Sequence, residues 1–194
     1  MEMVASPKKI KRVHPKKFAL WTAIVSMLMF FSAFTSAYIV RKAASNWLSF
    51  PIVDEFFYST GVILSSSVIL HVAYKAFIAK NYTLYRILLT IGLGLGILFI
   101  ALQYMGWLTL NSDTYGIFIS TNQSSSFFVL LVGTHALHVI GGITALMISW
   151  IYALKSSTKE WTPKGQLRLE LTFTYWHFVD ILWLYLLLFL WIQQ

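Results

Sequence analysis

The sequence predicts an all-α fold: one polytopic membrane domain in which five transmembrane helices form a bundle, the amino terminus cytoplasmic and the carboxyl terminus periplasmic. Three observations predict it. The 194 residues are 58% hydrophobic and only 11% charged, with a mean hydropathy of +0.69, whereas an average soluble domain is about 25% charged. Five apolar runs each reach the length of about 20 residues that a helix needs to cross hydrocarbon at 1.5 Å per residue. The 15 Lys and Arg residues are divided unequally between the segments that separate those runs, as membrane orientation requires.

The chain begins with a basic tail, 1–17, holding Lys8, Lys9, Lys11, Arg12, Lys16 and Lys17 with Pro7 and Pro15. It is expected on the cytoplasmic side. The rest, 18–194, reads as a single membrane domain. Its first span, 18–40, has too long an apolar run for the core of a secretory signal and is expected to remain uncleaved. Small residues repeat at four-residue spacing in Ser32/Ser36 and Ala33/Ala37, which permits close approach of another helix. Arg41 to Asp54, with Pro51, forms a short external loop before the second span, 56–78, which carries Ser65, Ser66, Ser67 and His71.

Lys75, Lys80 and Arg86 return the chain to the cytoplasm. The third span, 84–108, contains Gly-Leu-Gly-Leu-Gly at 92–96. No strand precedes those glycines and no polar turn opens there, so Gly92 and Gly96 read as a helix-packing face instead of a nucleotide loop. Thr109 to Ser126, with Asp113 and no Lys or Arg, is the expected external loop. The fourth span, 127–154, holds Gly133, His135, His138, Gly141 and Gly142. Lys155, Lys159, Lys164 and Arg168, with Pro163 and Gly165, form the next internal segment before the fifth span, 171–192.

The net charge of +8 does not point to nucleic acid, because the cations occupy short segments between spans and build no basic domain. The absence of cysteine removes disulfides, thiolate metal sites and haem attached through cysteine. Trp21, Trp47, Trp107, Trp161 and Trp191 fall at or near span ends, where indole anchors at the headgroup level. Phe30, Phe31, Phe127, Phe128 and the six methionines read as packing or lipid contact.

The chemistry lies in polar residues inside the spans. A carboxylate near the bilayer centre costs about 2.5 to 3.5 kcal/mol on insertion scales, so Asp180 is expected to face protein. Glu170, His177 and Asp180 are spaced seven and three residues apart and share one side of the fifth span, continued by Trp183 and Leu184, with Trp176, Leu182 and Leu186 on the flanks. From the cytoplasmic ends, His71 and His177 lie roughly 10 Å deep, Asp180 about 14 Å, and Gln103, His135 and His138 about 22 to 27 Å. The inner level offers His71 to His177 or Asp180, and the outer level offers Gln103 to His135 or His138. Three uses are open to these groups: hydrogen bonds that set helix register, a metal or haem site, or proton exchange between histidine and carboxylate. A single ion would have to bridge levels about 8 Å apart.

His-Ala-Leu-His-Val-Ile-Gly-Gly at 135–142, then Glu170 and Tyr-Trp-His-Phe-Val-Asp-Ile-Leu-Trp at 175–183, closely resemble subunit III of the haem-copper oxidases, the cytochrome c oxidase and quinol oxidase family. Thr60 to Ser67, and Gln103 with Trp107, resemble two further shared spans. The sequence departs from the pattern at Met27, after Ser26, where the family carries a buried carboxylate known for reacting with a carbodiimide, and at Gly106, where an acidic residue is frequent. Many members have seven spans; the five-span form is similar to bacterial ones.

The resemblance implies an accessory, non-catalytic subunit of a terminal oxidase in the bacterial cytoplasmic (inner) membrane. It implies no cofactor in this chain, with haem and copper in subunits I and II. Subunit I is the main contact, and phospholipid is held in a cleft. The complex would reduce oxygen to water and pump protons, this subunit sustaining proton uptake, and it would be open to a larger respiratory supercomplex. The small-residue faces of the first and third spans are the expected contacts with subunit I. The alternative is a stand-alone small proton-coupled transporter, which the lack of a recognisable inverted repeat disfavours; a membrane metal enzyme is a third reading.

Overall fold

The computed structural model describes residues 14–43, 47, 51–112, 122–155 and 163–193. Among them the secondary structure is entirely helical: α1 Pro15–Lys42, α2 Asp54–Ile78, α3 Tyr82–Leu110, α4 Gln123–Lys155 and α5 Pro163–Ile192. Each is long and apolar enough to cross a membrane. The expected positions of Lys8, Lys9, Lys11, Arg12, Asp113, Lys159 and Trp161 lie outside the described residues.

Local signals explain the ends. At α1 the His14 side chain accepts from the Lys16 amide at 3.2 Å and Pro15 occupies the first turn, where its missing N–H costs nothing. Asp54 and Glu55 stand in the first turn of α2 and Lys75 in its last, each on the favourable end of the helix dipole. The turn from α2 to α3 is tight. Lys80 N–H donates to the Phe77 carbonyl at 3.0 Å and Asn81 N–H to the Ala76 carbonyl at 3.0 Å, the bond pattern of a Schellman motif. Lys80 sits at φ 60°, a conformation glycine adopts without the Cβ penalty. Lys80→Gly is therefore expected to raise stability by about 0.5 to 1 kcal/mol, read as a higher unfolding midpoint in mixed micelles.

The helices extend past the expected spans. α4 starts at Gln123, inside the expected external loop, because Asn122 organises its first turn: Ser124 N–H donates to Asn122 Oδ1 at 3.1 Å and Ser125 Oγ to the Asn122 carbonyl at 2.7 Å. Ser124 and Ser125 are buried. α5 starts at Pro163, so Lys164 and Arg168 belong to its first turns, and Lys16 and Lys17 belong to α1 instead of a tail. Apolar content marks the hydrocarbon crossing, whereas backbone hydrogen bonding continues into the polar interface.

The chain alternates direction. Lys17 pairs with Glu170, joining the starts of α1 and α5. Arg41 donates to Gln123, and Lys42 Nζ to Gln193 Oε1 at 3.1 Å, joining the end of α1 to the start of α4 and the end of α5. Glu55 accepts from Thr109 at 2.7 Å, and Thr90 from Trp150 Nε1 at 2.8 Å. Helices α2, α3, α4 and α5 close a four-helix bundle, in which α2 packs most extensively on α3. α1 stands outside it. It touches α4 and α5 and, among the described residues, neither α2 nor α3. Its inward stripe is Ile24, Phe31, Thr35 and Tyr38, with Thr35 Oγ1 hydrogen-bonded to Tyr185 Oη at 2.9 Å.

Between helices in lipid, van der Waals packing replaces the hydrophobic effect as the main attraction, so close approach matters. A Cβ at Gly96 would stand 2.7 Å from the Trp176 ring, at Gly142 3.0 Å from the same ring, and at Gly92 2.6 Å from Leu70. These three glycines serve contacts inside the bundle. Leu70 and Trp176 cover Gly92 and Gly96 within the chain, so of the small residues in this run only Gly94, exposed and with open space at its Cβ position, is left facing outward. Gly141 is exposed, its Cβ position 3.6 Å from Tyr175 Oη. Ala33 and Ala37 are exposed as well, on the side of α1 turned away from α4 and α5.

Candidate functional site

The centre of the bundle is α5. Trp176, Asp180 and Trp183 follow one another at helical spacing and are 0%, 2% and 0% exposed. Trp176 enters between α3 and α4, where Gly96 and Gly142 leave room for the indole. Trp183 lies one layer further along. It donates from Nε1 to Thr60 Oγ1 on α2 at 2.9 Å, stacks on His135 of α4 at 5.2 Å between ring centroids, and meets Phe99 of α3 edge-on at 5.5 Å. One side chain therefore touches the other three helices of the bundle. Its hydrogen bond removes the penalty that a buried indole N–H would otherwise carry.

The polar residues do not form one network. His177 shares a hydrogen bond with Ser67 of α2 at 2.6 Å. His71 lies 6.1 Å from the His177 ring, but it is exposed, so its expected place in a buried network is corrected: its position on α2 faces outward. Glu170 is also not buried, being 41% exposed in its ion pair with Lys17. At that exposure the pair contributes under about 1 kcal/mol. The shared side of α5 is not buried along its length: Glu170, two turns into the helix, is 41% exposed and Leu184 36%, while Trp176, expected on the flank, is fully buried.

The expected outer pairing is replaced by other partners. Gln103 Nε2 donates to Ser59 Oγ at 2.9 Å, not to a histidine. His138 Nδ1 donates to the Thr134 carbonyl of its own helix at 2.8 Å and packs edge-on to Phe31 at 5.9 Å. His135, 1% exposed, has among the described residues no hydrogen-bond partner at either ring nitrogen; its contacts there are aromatic. The ring behaves here as a flat packing group between Trp183 and Phe99. Among the described residues Asp180 has no hydrogen-bond partner at either carboxylate oxygen, and Ser67 is the polar side chain beside it.

Tyr175 and His138 are linked differently again, through the Tyr175 hydroxyl donating to the His138 carbonyl at 3.0 Å. Thr60, Ser59 and Ser67, which carry much of the interhelical bonding, were visible in the sequence only as small polar residues on α2. The repeat of tryptophan at positions 176 and 183 was the available signal for the core of α5. Among the described residues, no three His, Asp or Glu side chains converge as metal ligands would.

The fold and this interior define a polytopic helical membrane protein whose buried motif residues pin α5 against α2, α3 and α4. A model of the cytochrome c oxidase subunit III family matches residues 13–193, and the chain belongs to that family. It is 30% identical over 183 residues to cytochrome c oxidase subunit 3 of Marchantia polymorpha, covering 88% of this chain and 65% of the relative. The corresponding protein of Ornithorhynchus anatinus is 33% identical over 132 residues, covering 66% of this chain and 46% of the relative. That of Petromyzon marinus is 35% identical over 132 residues with the same coverage. The chain thus spans less than two thirds of the length of these relatives.

Proposed function

We propose that this chain is the accessory subunit III of a bacterial haem-copper terminal oxidase. One observation carries the reading. The residues by which the chain resembles the family, 135–142 and 175–183, are those that pack α4 against α5 around Trp176 and Trp183. They hold a scaffold together, as a subunit that supports redox partners requires. Haem and copper belong to subunits I and II, and subunit I meets this chain on its exposed helical faces, Ala33 and Ala37 of α1 among them. The complex reduces oxygen to water while pumping protons.

The charge distribution supports an orientation. Lys16, Lys17, Lys75, Lys80, Arg86, Lys155, Lys164 and Arg168 gather at one end of the bundle, and Arg41 and Lys42 at the other. The first end is cytoplasmic under the positive-inside rule, which puts the carboxyl terminus in the periplasm. At that cytoplasmic end His14, Lys16, Lys164 and Arg168 line a cavity of about 360 Å³ with Leu171 and Thr172. Its cations and apolar wall suit the phosphate and upper acyl chain of a phospholipid.

The test is purification of a tagged chain from its native membrane in mild detergent. Co-purification of haem-bearing subunits, with a haem spectrum in the visible range, is expected. A chain that purifies alone and drives proton-coupled flux in liposomes would be a transporter instead. Within the oxidase, Met27→Gln is expected to leave the initial turnover rate unchanged, measured by oxygen consumption, because no carboxylate stands at that position. A fall in proton uptake rate would assign proton work to it.

A further inference from the structure

We infer that Asp180 is a reversible proton-binding site, filled and emptied through a row of three side chains, His71, His177 and Ser67, that leads inward along the seam between α2 and α5. The inference concerns the chain alone and stands apart from the oxidase reading.

Helix spacing sets the row. Ser67 and His71 are one turn apart on α2, and His177 and Asp180 are one turn apart on α5, so where the two helices meet the four side chains fall together. Exposure falls along the row: His71 is exposed, His177 and Ser67 are half-buried, and Asp180 is 2% exposed. His71 lies seven residues before the end of α2 at Ile78, roughly 10 Å from that end, near enough to the headgroups for an imidazole to reach water. The His71 and His177 rings are 6.1 Å apart between centroids, a gap that one water molecule spans. His177 Nδ1 and Ser67 Oγ share a hydrogen bond of 2.6 Å, and Ser67 is the polar side chain beside Asp180.

Two features set this row apart from polar contacts that only hold helices together. A hydroxyl gives one hydrogen and accepts at the same time, so Ser67, standing between an imidazole nitrogen and a carboxyl group, joins the two in series. A carboxyl group kept to pin helices would be hydrogen-bonded, whereas among the described residues neither Asp180 oxygen is. The other ionisable groups around the seam are Lys75, one turn beyond His71, Glu170 in its pair with Lys17 of α1, and His135 of α4, which stacks on Trp183. They set the surrounding charge and stand outside the row.

The transfer moves protons and no electrons. His177 starts with its Nδ1–H donating to Ser67, and the Ser67 O–H turned to Asp180. A proton arriving from His71 forms an N–H bond at Nε2 of His177. The Nδ1–H bond breaks as Ser67 Oγ takes that proton, and the Ser67 O–H bond breaks as its own proton joins an Asp180 oxygen. Asp180 ends as a neutral carboxylic acid and His177 as the neutral Nε2–H tautomer. Release runs the same steps in reverse.

The experiment uses the full chain in phosphatidylcholine nanodiscs. Infrared spectroscopy identifies the C=O band of protonated Asp180 as the one missing from Asp180→Asn, and a switch from water to D2O follows how fast that band shifts as O–H becomes O–D. Ser67→Ala is expected to slow the shift at least about tenfold. Ser67→Thr restores the hydroxyl and is expected to restore the rate. Ser65→Ala is the control and should leave the rate unchanged, because the Ser65 hydroxyl is exposed and donates to the Gly61 carbonyl of its own helix at 2.8 Å. His71→Leu, at an exposed position, is expected to slow the shift with the fold intact, and it decides the matter if Ser67→Ala does not fold. Unchanged rates in Ser67→Ala or in His71→Leu overturn the inference. So does slowing that Ser67→Thr fails to reverse, which would assign the loss to packing, and so does a chain without an Asp180 acid band at any pH at which it stays folded.

Discussion

Trp176→Ala is expected to destabilise the isolated chain by about 3 to 5 kcal/mol, the range for deleting a large buried aromatic. The cost is high because the indole fills a slot made by two other helices. Gly96 and Gly142 approach its ring so closely that even a methyl group at either position would overlap or crowd it. A cavity there separates α3, α4 and α5 at once. Gly96→Ala approaches the same contact from the other side and is expected to cost about 1 to 3 kcal/mol through overpacking. The two effects are coupled. The atoms nearest Gly96 belong to the outer ring of the indole, which phenylalanine lacks, so in a Trp176→Phe background Gly96→Ala should cost about 0.5 kcal/mol or less. Reversible unfolding in mixed micelles of the four proteins measures the coupling, expected at 1 kcal/mol or more. Additive losses would show that the two residues do not share a slot.

Asp180→Leu is expected to stabilise the isolated chain, by about 1 to 3 kcal/mol. This is the reverse of what a buried carboxylate in a hydrogen-bonded network would give. The side chain is 2% exposed and, among the described residues, neither oxygen has a hydrogen-bond partner, so its burial costs desolvation that the neighbouring Ser67 hydroxyl offsets only in small part. Leucine has a similar volume and none of that cost. Asp180→Asn retains the shape and a polar amide, and should fall between the two. A lower unfolding midpoint for Asp180→Leu would reveal a bond to the carboxyl group that stabilises the fold. If the leucine variant is more stable yet assembles poorly into the proposed oxidase, Asp180 is kept for the complex and not for the chain.

The crossings were legible in the sequence because hydrocarbon imposes a length and a composition, and both can be counted. Helix ends were less legible. Asn122 and the serines after it form a first turn that hydropathy reads as loop, and Pro163 opens α5 within a basic segment. The interior was partly legible: the cost of a carboxylate in lipid pointed Asp180 inward, and it is inward. The partners of the polar groups were not legible. Depth along a helix axis says nothing of rotation about it, so His71 faces outward at the right level, and Gln103 finds Ser59 because the two side chains meet across α2 and α3. Seven-residue spacing also misled at Glu170. The residue lies on the same side as His177 but beyond the apolar part, where Lys17 is within reach.

The seating of α1 against α4 and α5 alone has a consequence for biogenesis. This helix leaves the ribosome before α2 and α3, neither of which offers it a resting place, and it waits in the bilayer until the last two helices have been inserted. Ribosome-bound chains arrested before α4 would therefore hold α1 docked on neither α2 nor α3, open to chaperones and membrane proteases, until α4 and α5 arrive.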